Sequence, residues 1–526
     1  MITSHLTPQQ IERNLNKLLV GMLHTPSASE CMDVKGISLD SRQIKPGYLF
    51  LSLATDLSLR YQYLKMALQS GASVILFDPQ LPLSVEEVSL ITNYQVEHFA
   101  VRNLAVKAGE IAARYYQHPS LALKVIAVTG TNGKTSVTQF IAQVLEAKGT
   151  RCGVIGTLGV GSLGALQYTG MTTPDPVTLQ RILAEMRDQS ISFVVIEASS
   201  HALAQGRLNS VAIDCAVLTN LSRDHLDYHP DMADYGAAKA SLFSVPGLKH
   251  AVINTGDDFG TELLESLEGK ASIEVISYAC IDTKNVADNH IQAKQVELKP
   301  SGLSFSVNSG FGDGEISVSM LGQFNVENLL ATLAVLVSLD VSFTQAITLV
   351  SKCQSVAGRM ELHGGKHNLP NVIVDYAHTP DALDKALQSL RLHLKKTGDL
   401  WCVFGCGGDR DAGKRRLMGQ CAETLADKII LTDDNPRTED SSEIINSILS
   451  GISDSEKVMV EKDRKQAITY AINSAKADDI VLVAGKGHEN YQDINNVRHI
   501  FSDALVVCDV LKALSGNKYA HVESKA

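Results

Sequence analysis

The run Val125-Ile-Ala-Val-Thr-Gly130-Thr-Asn-Gly133-Lys134-Thr135-Ser136 carries the strongest chemical signal in the chain. Its pattern predicts a buried strand, a glycine-rich turn and a helix opening at Lys134, a geometry in which backbone N–H groups surround phosphate oxygens. Lys134 would reach the β- and γ-phosphates, and the Thr135 hydroxyl would ligate Mg2+. Val128 occupies the first glycine position of the full G-x-x-x-x-G-K-[ST] pattern. The Gly-Lys-Thr core still favours a mononucleotide site over an incidental turn, because an apolar stripe (Val137, Phe140, Ile141, Val144, Leu145) and a stop at Gly149 follow it.

Phosphoryl transfer needs metal charge bridging the phosphates, so acidic side chains are expected directly after neighbouring strands. Glu197 ends the run Phe193–Ile196 and leads into Ala198-Ser199-Ser200-His201. It is a Mg2+ ligand candidate, although an isolated strand-end carboxylate more often caps a helix. Asp224-His225-Leu226-Asp227 follows the run Ala216–Leu218; His225 on its own would be an ordinary polar turn residue. Lys239 sits in the helical pattern Asp234–Phe243 and, taken alone, reads as a solvated surface lysine. Farther on, Asp434-Asn435-Pro436-Arg437 follows Ile429–Leu431, and Glu489 follows Ile480–Val483. The Arg437 guanidinium is a rigid fork suited to a carboxylate.

Positions just after strands matter because open parallel sheets bind ligands beyond their carboxyl ends. The apolar runs named above, together with Tyr48–Leu53, Ser73–Phe77, Val372–Val374 and Cys402–Phe404, predict buried parallel strands alternating with helices. Helices are expected through Glu110–Tyr116 and over Val326–Leu339. The polar stretch Ile273–Ser319 predicts an antiparallel excursion. The fold class expected is α/β in three domains: a small N-terminal α/β domain (1–110), a central P-loop ATPase-like parallel sheet (111–355) and a C-terminal Rossmann-like domain (356–526).

A chain of 526 residues has room for about three domains. Its net charge of −11 argues against a general nucleic-acid binder, whose affinity comes from cationic phosphate contacts. Hydrophobic residues at 44% and charged residues at 20% argue against a largely disordered chain. No apolar run approaches the roughly 20 residues that span a bilayer, and the opening MITSHLTPQQIERNLNKLL has no secretory pattern. Nine scattered cysteines without a C-x-x-C pair fit free thiols in a reducing cytosol. The reading is a cytoplasmic protein that inserts into no membrane and binds no nucleic acid.

Further motifs run through almost the whole chain: Leu39-Asp-Ser-Arg42, Thr172-Thr173-Pro174, Gln205 and Arg207, Tyr235 before Lys239, Gly322-Gln-Phe-Asn-Val-Glu-Asn328, Gly358-Arg359, Asp375-Tyr-Ala-His-Thr-Pro380, Gly405-Cys-Gly-Gly-Asp-Arg410 and Gly485-Lys-Gly-His-Glu489. With the phosphate loop and Asp434–Arg437, this ordered set resembles the Mur ligase family, ATP-dependent amide-forming enzymes of peptidoglycan precursor synthesis. The resemblance implies a monomer whose domains hold a UDP-sugar, ATP and an incoming amino acid. It implies addition of meso-2,6-diaminopimelate to UDP-N-acetylmuramoyl-L-alanyl-D-glutamate through an acyl phosphate.

Site roles follow from the same resemblance. Lys134, Lys239 and His225 would be catalytic. ATP would meet Gly130, Thr131, Asn132, Gly133, Lys134, Thr135 and Ser136, with Asn325, Asn328, Arg359 and Asp375. Two Mg2+ ions would be held by Thr135, Glu197, His225 and a Lys239 carbamylated by CO2. Leu39, Ser41, Thr172, Thr173, Ser199, Gln205 and Arg207 would bind the UDP-sugar dipeptide. Arg410, Asp434, Asn435, Pro436, Arg437, Gly485 and Glu489 would bind diaminopimelate, with Arg437 on its distal carboxylate and Glu489 on its distal ammonium.

Two departures fall on the UDP-sugar side. The run Ala54–Arg60 replaces a longer glycine-containing loop, and Met171 stands where a polar residue is expected. A folylpolyglutamate synthase would share the phosphate loop but would not need Asp434–Arg437 or Leu39–Arg42. A nucleotide-binding switch would need neither, and no N-K-x-D guanine-reading motif is present.

Overall fold

The alternation of short apolar runs with amphipathic helices is realised as parallel sheets covered by helices. The computed structural model describes residues 14–22, 33–280, 288–366 and 368–515. Part of the expected excursion (281–287) and most of the amino-terminal run lie outside them. The chain divides into two compact units. One takes the residues up to Lys134 with Gly149–Ala251 and Leu267–Glu274; the other takes Thr135–Lys148, Val252–Ser266 and the residues from Val275 onward.

In the first unit, β1 (Gly36–Ser38), β2 (Tyr48–Ser52), β3 (Ala72–Phe77) and β4 (Glu97–Ala100) form a parallel sheet in sequence order. The short helix α1 (Leu15–Leu18) packs on it, and α2 (Leu57–Gln69) and α3 (Val85–Asn93) link its strands. Asp56 caps α2 through Leu59 N–H, so the run Ala54–Arg60 supplies that helix's first turn. Arg60, only 2% exposed, grips Glu87 of α3 with Nε at 2.8 Å and Nη2 at 2.6 Å, and its remaining donors reach the Leu81 and Pro82 carbonyls.

The same unit holds β5 (Lys124–Thr129), β6 (Cys152–Gly156), β7 (Gly159–Ser162), β8 (Phe193–Glu197) and β9 (Cys215–Leu218). They are ordered β9-β5-β8-β6-β7, and all but β7 are parallel. Val125–Val128 and Val194–Ile196 are wholly buried, as strands covered on both faces must be. The helices of this unit are α4 (Leu104–Tyr115), α6 (Pro176–Asp188), α7 (Ser200–Ala204) and α8 (Met232–Ala240), while α5 (Lys134–Ala147), which follows β5 in the chain, belongs to the other unit from Thr135 onward. Residue 110 lies inside α4. The expected helix Asp234–Phe243 stops at Ala240 and tightens into a 3-10 turn over Ser241–Ser244.

Along the chain, β10 (His250–Asn254) passes from the first unit's residues to the second's. There β11 (Glu274–Ala279) runs parallel to β12 (His290–Lys299), and β12, β13 (Gly302–Ser309) and β14 (Gly312–Val318) form an antiparallel meander. The excursion is therefore antiparallel only from residue 290 onward. The second unit also holds β15 (Glu361–Gly364), β16 (Asn371–Asp375), β17 (Leu400–Phe404), β18 (Lys428–Leu431), β19 (Val458–Val460) and β20 (Ile480–Ala484). Their order is β15-β16-β20-β17-β18-β19, parallel apart from the edge strand β15. A hairpin, β21 (Tyr491–Ile494) and β22 (Val497–Ile500), follows. No helix among the described residues is long and apolar enough to cross a membrane.

Removing one member of a buried ion pair leaves the other charge uncompensated, at a cost of about 3–5 kcal/mol. Arg60→Ala should therefore lower the urea midpoint of the transition that reports the β1–β4 sheet. Arg60→Met with Glu87→Leu should recover most of that loss.

Candidate active site

Gly130 follows β5 directly with φ 145°, and a Cβ there would collide with Thr219 Oγ1; glycine lets the turn close against the neighbouring strand end. The segment after β9 then braces the phosphate loop. Asn220 accepts from Thr131 N–H through its carbonyl and from Asn132 N–H through Oδ1, both at 2.9 Å, and Thr219 Oγ1 donates to the Asn132 carbonyl at 2.6 Å. Lys134 Nζ curls back onto the Gly130 and Thr131 carbonyls at 2.8 and 2.9 Å. Thr135 and Ser136, in the first turn of α5, are buried.

Lys239 is not the surface lysine its isolated sequence suggests. It is 1% exposed on α8, with Nζ 4.1 Å from the centre of the Tyr235 ring. Tyr235 OH meets Thr131 Oγ1 at 3.1 Å, which fastens α8 to the phosphate loop. Burial, reinforced by the positive charge of Lys134 and only partly opposed by Asp224, brings the Lys239 pKa down to about 6. The amine is neutral at physiological pH, the form whose lone pair attacks CO2. Burial also lowers the His225 imidazole pKa, with Lys134 and Lys239 acting in the same direction against Asp224. Lys134, Lys239 and His225 thus sit within one another's fields. His225 holds φ 54°, a strained conformation for a non-glycine residue and a common mark of functional positions.

Glu197 ends β8 at 1% exposure; Oε1 accepts from Thr157 N–H at 2.9 Å and Oε2 from Thr157 Oγ1 at 3.0 Å. A side chain at Gly156 would collide with this carboxylate. Most of the expected UDP-sugar residues join the same network. Thr172 Oγ1 lies 3.0 Å from Thr157 Oγ1, and Thr173 Oγ1 donates to the Glu197 carbonyl at 2.6 Å and accepts from Ser199 N–H at 3.2 Å. Arg207 Nη1 donates to the Thr173 carbonyl at 2.7 Å and Nη2 to Gln205 Oε1 at 2.6 Å. Leu39 and Ser41 lie apart from this network: Leu39 packs on the β1–β4 core and Ser41 Oγ donates to Met66 Sδ. Met171 is exposed.

In the second unit the expected nucleotide residues form two patches. Asn328 Nδ2 donates to Asn325 Oδ1 at 3.0 Å, and Asn325 Nδ2 to the Leu321 carbonyl at 2.8 Å, both at the start of the helix Phe324–Ser338. Separately, Arg359 stacks 4.8 Å from the Tyr376 ring centre, and Asp375 accepts from the Met360 and Ala377 N–H groups. The Asp375 carbonyl accepts from Gly485 N–H, which ties this patch to the segment after β20.

That segment and the one after β18 converge. Asn435 Nδ2 donates to Glu489 Oε2 at 2.9 Å. Gly485, at φ 116°, lies beside Asp434 Oδ2, and the Asn435 and Pro436 carbonyls pack against Gly408. Arg437 is half-buried at φ 51°; its N–H donates to the Asp493 carbonyl, its own carbonyl accepts from Asn495 N–H, and Nη1 donates to the Gly408 carbonyl at 2.6 Å. Arg410 is exposed nearby. At the centre stands Lys486, fully buried, with Nζ 2.9 Å from Asn435 Oδ1, 3.1 Å from Glu489 Oε2 and 3.4 Å from Asp434 Oδ1.

Sequence reasoning overlooked Lys486, Thr157, Thr219 and Asn220. A lysine between two glycines directly after a buried strand was a usable signal for the first. The other three are small polar residues with no local mark of their role.

A braced glycine-rich loop beside an uncharged lysine, and a separate polar cluster after β18 and β20, are compatible with an ATP-dependent ligase. Comparison with known proteins gives the same class. Residues 128–336 match the Mur ligase middle domain, and residues 358–487 match the Mur ligase, glutamate ligase domain. A UDP-N-acetylmuramoyl-L-alanyl-D-glutamate–2,6-diaminopimelate ligase of Xanthomonas campestris pv. campestris (strain 8004) is 44% identical over 92% of this chain and 95% of its own length. The ligase of the same name from Pseudomonas aeruginosa is 43% identical over 91% of this chain and 95% of its own. A solved structure bearing that ligase name superposes with a TM-score of 0.70 at 36% identity, over 95% of this chain and 99% of its own. The chain belongs to the Mur ligase family.

Because the Lys239 pKa lies near 6, its amine gains a proton as pH falls through that value, and a protonated amine does not react with CO2. In protein equilibrated with 13C-bicarbonate, a carbamate carbon resonance should be present at neutral pH, fade as pH falls through about 6, and be missing in Lys239→Ala. Lys239→Ala should also abolish turnover, with partial recovery on adding short-chain carboxylates.

Proposed function

We propose that this protein joins meso-2,6-diaminopimelate to UDP-N-acetylmuramoyl-L-alanyl-D-glutamate, with ATP cleaved to ADP and phosphate, as a monomer in the cytoplasm. The observation that carries this reading is the convergence of Asp434, Asn435 and Glu489 on Lys486, on the segments that also carry Arg437 and Gly485, in a chain closely similar to ligases of that name. In this scheme residues 1–110 hold the uridine end, residues 111–355 hold ATP, and residues 356–526 hold the amino acid. The eight cysteines among the described residues are all free, which fits a reducing compartment.

A carboxylate cannot accept an amine directly, because its leaving group would be oxide. The D-glutamyl carboxylate attacks the γ-phosphate, ADP departs, and the amine of diaminopimelate then displaces phosphate from the acyl phosphate. Lys134 exchanges its loop carbonyls for β- and γ-phosphate oxygens and neutralises the charge that moves toward the leaving group. Thr173, Ser199, Gln205 and Arg207 position the sugar-peptide next to it.

The residues fit Mg2+. The donors are hydroxyl and carboxylate oxygens and an imidazole, and an ion held by so few protein groups would complete its shell with phosphates and water. Thr135 and Glu197 would hold one ion, and His225 with the Lys239 carbamate a second. When bound, Mg2+ supplies charge neutralisation along the triphosphate.

At the other end of the reaction, Arg437 Nη1 is fixed on Gly408, which orients the guanidinium plane toward the distal carboxylate of diaminopimelate. Both bonds accepted by Glu489 arrive at Oε2, from Asn435 and Lys486, and they orient its carboxylate for the distal ammonium. L-Lysine lacks the distal carboxylate and would leave the guanidinium unpaired.

Phosphate release in the presence of the UDP-sugar dipeptide should require meso-diaminopimelate, with L-lysine far weaker. Release without any amine, or equal rates with both, would overturn the assignment. Arg437→Ala and Lys486→Met should each raise the KM for diaminopimelate by about tenfold or more, one unpaired or lost charged contact being worth roughly 1.5–3 kcal/mol. The KM for ATP should stay within about twofold.

A further inference from the structure

Outside the sites above, the second unit contains a thiol, an imidazole and a carboxylate in line. Cys508 Sγ lies 3.5 Å from His363 Nδ1, and His363 Nε2 lies 3.2 Å from Glu361 Oε1. Cys508 is half-buried on the carboxyl-terminal helix Asp503–Ser515, while His363 and Glu361 belong to the edge strand β15. We propose that Cys508 is a modification site for hydroperoxides: a thiol that faces the His363 imidazole and is connected through His363 and Glu361 to the turn that carries Arg359.

An imidazole backed by a carboxylate and touching a thiol is the arrangement that draws off the thiol proton. Burial alone would lower the His363 pKa, but its bonds to Cys508 and Glu361 outweigh that and raise it to about 9, so the ring is positioned to carry the proton. The other cysteines lack this surrounding. Cys152, Cys215, Cys353, Cys402 and Cys406 are buried, and burial raises the thiol pKa of half-buried Cys280 and Cys421, the latter to about 12. In the step itself, the Cys508 thiolate attacks the distal oxygen of the hydroperoxide. The S–O bond forms as the O–O bond breaks, and the departing alkoxide takes the proton from His363. Sulfur is oxidised to a sulfenic acid and the hydroperoxide is reduced to an alcohol, or to water for hydrogen peroxide.

The other end of the relay reaches the nucleotide patch. Glu361 Oε2 accepts from Gly358 N–H at 2.7 Å, Gly358 accepts from Tyr376 N–H at 3.0 Å, and Arg359 stacks on the Tyr376 ring. Gly358 has φ 64°, and any Cβ there would collide with His488 N, so the turn has one tight conformation that Glu361 secures. Converting the thiol to a sulfenic acid puts an added oxygen between Cys508 Sγ and His363 Nδ1, and the ring displaced by it is the one whose Nε2 faces Glu361.

The effect on the nucleotide rests on the ligase reading; the chemistry of the thiol does not. The full-length protein would be treated with a small excess of hydrogen peroxide and a dimedone probe, with peptide mass spectrometry and a fluorescent ATP analogue as separate readouts. Dimedone should label Cys508 ahead of Cys280 and Cys421. Labelling should slow at least about tenfold in His363→Asn or Glu361→Gln and be missing at that peptide in Cys508→Ser. Analogue affinity should fall severalfold on oxidation, return with dithiothreitol, and be unaffected by peroxide in Cys508→Ser. Preferential labelling elsewhere, or undiminished labelling in both relay variants, would overturn the site. Labelling of Cys508 with unchanged analogue affinity would overturn the link to Arg359. Failure of the diaminopimelate assay with intact labelling would count against the ligase reading alone.

Discussion

An ammonium group withdrawn from water beside a second cation is an unfavourable object, and the protein holds Lys239 there as a neutral amine. Desolvation disfavours the charged form, and Lys134 adds repulsion from a loop that cannot move away, since Thr219 and Asn220 brace it from the neighbouring strand. Tyr235 joins the helix carrying Lys239 to that same loop through Thr131. The lysine that would meet phosphate and the lysine that would take up CO2 are therefore mechanically coupled. Tight packing, a cost in most settings for a basic residue, here leaves an uncharged amine.

The second unit buries another lysine. Asp434, Asn435 and Glu489 surround the Nζ of the fully buried Lys486. Two segments that follow different strands, β18 and β20, are joined by one side chain. The cluster is organised in advance, so the amino-acid binding proposed for it would leave less ordering to be done.

The buried parallel strands were legible because two-sided coverage leaves short, unbroken apolar runs between glycine, asparagine and aspartate, as at Val125–Val128 and Ile480–Val483. Residues directly after those strands were legible for the same reason. β11 was misread as antiparallel because a polar strand carries no mark of its partner's direction. Lys239 looked solvated since α8 is too short and too rich in alanine and glycine to reveal which face is covered, although small residues that permit close packing were themselves a hint. The left-handed backbones of His225 and Arg437 had no sequence signature at all, neither residue being glycine or asparagine. The link between Leu39-Asp-Ser-Arg42 and the rest of the site was carried only by family resemblance.

The hairpin β21–β22 is fastened beside Arg437 mainly through backbone atoms: the Asp493 carbonyl, Asn495 N–H, and Asp493 N–H on Asn435 Oδ1. Its outer strand, Val497–Ile500, is exposed along its whole length. Shape at the guanidinium is thereby insulated from the identity of the hairpin's outward side chains. Natural drift can rewrite that ribbon's surface while leaving the Arg437 backbone as it is, and an engineer wishing to attach a reporter near this arginine has a tolerant place to do so.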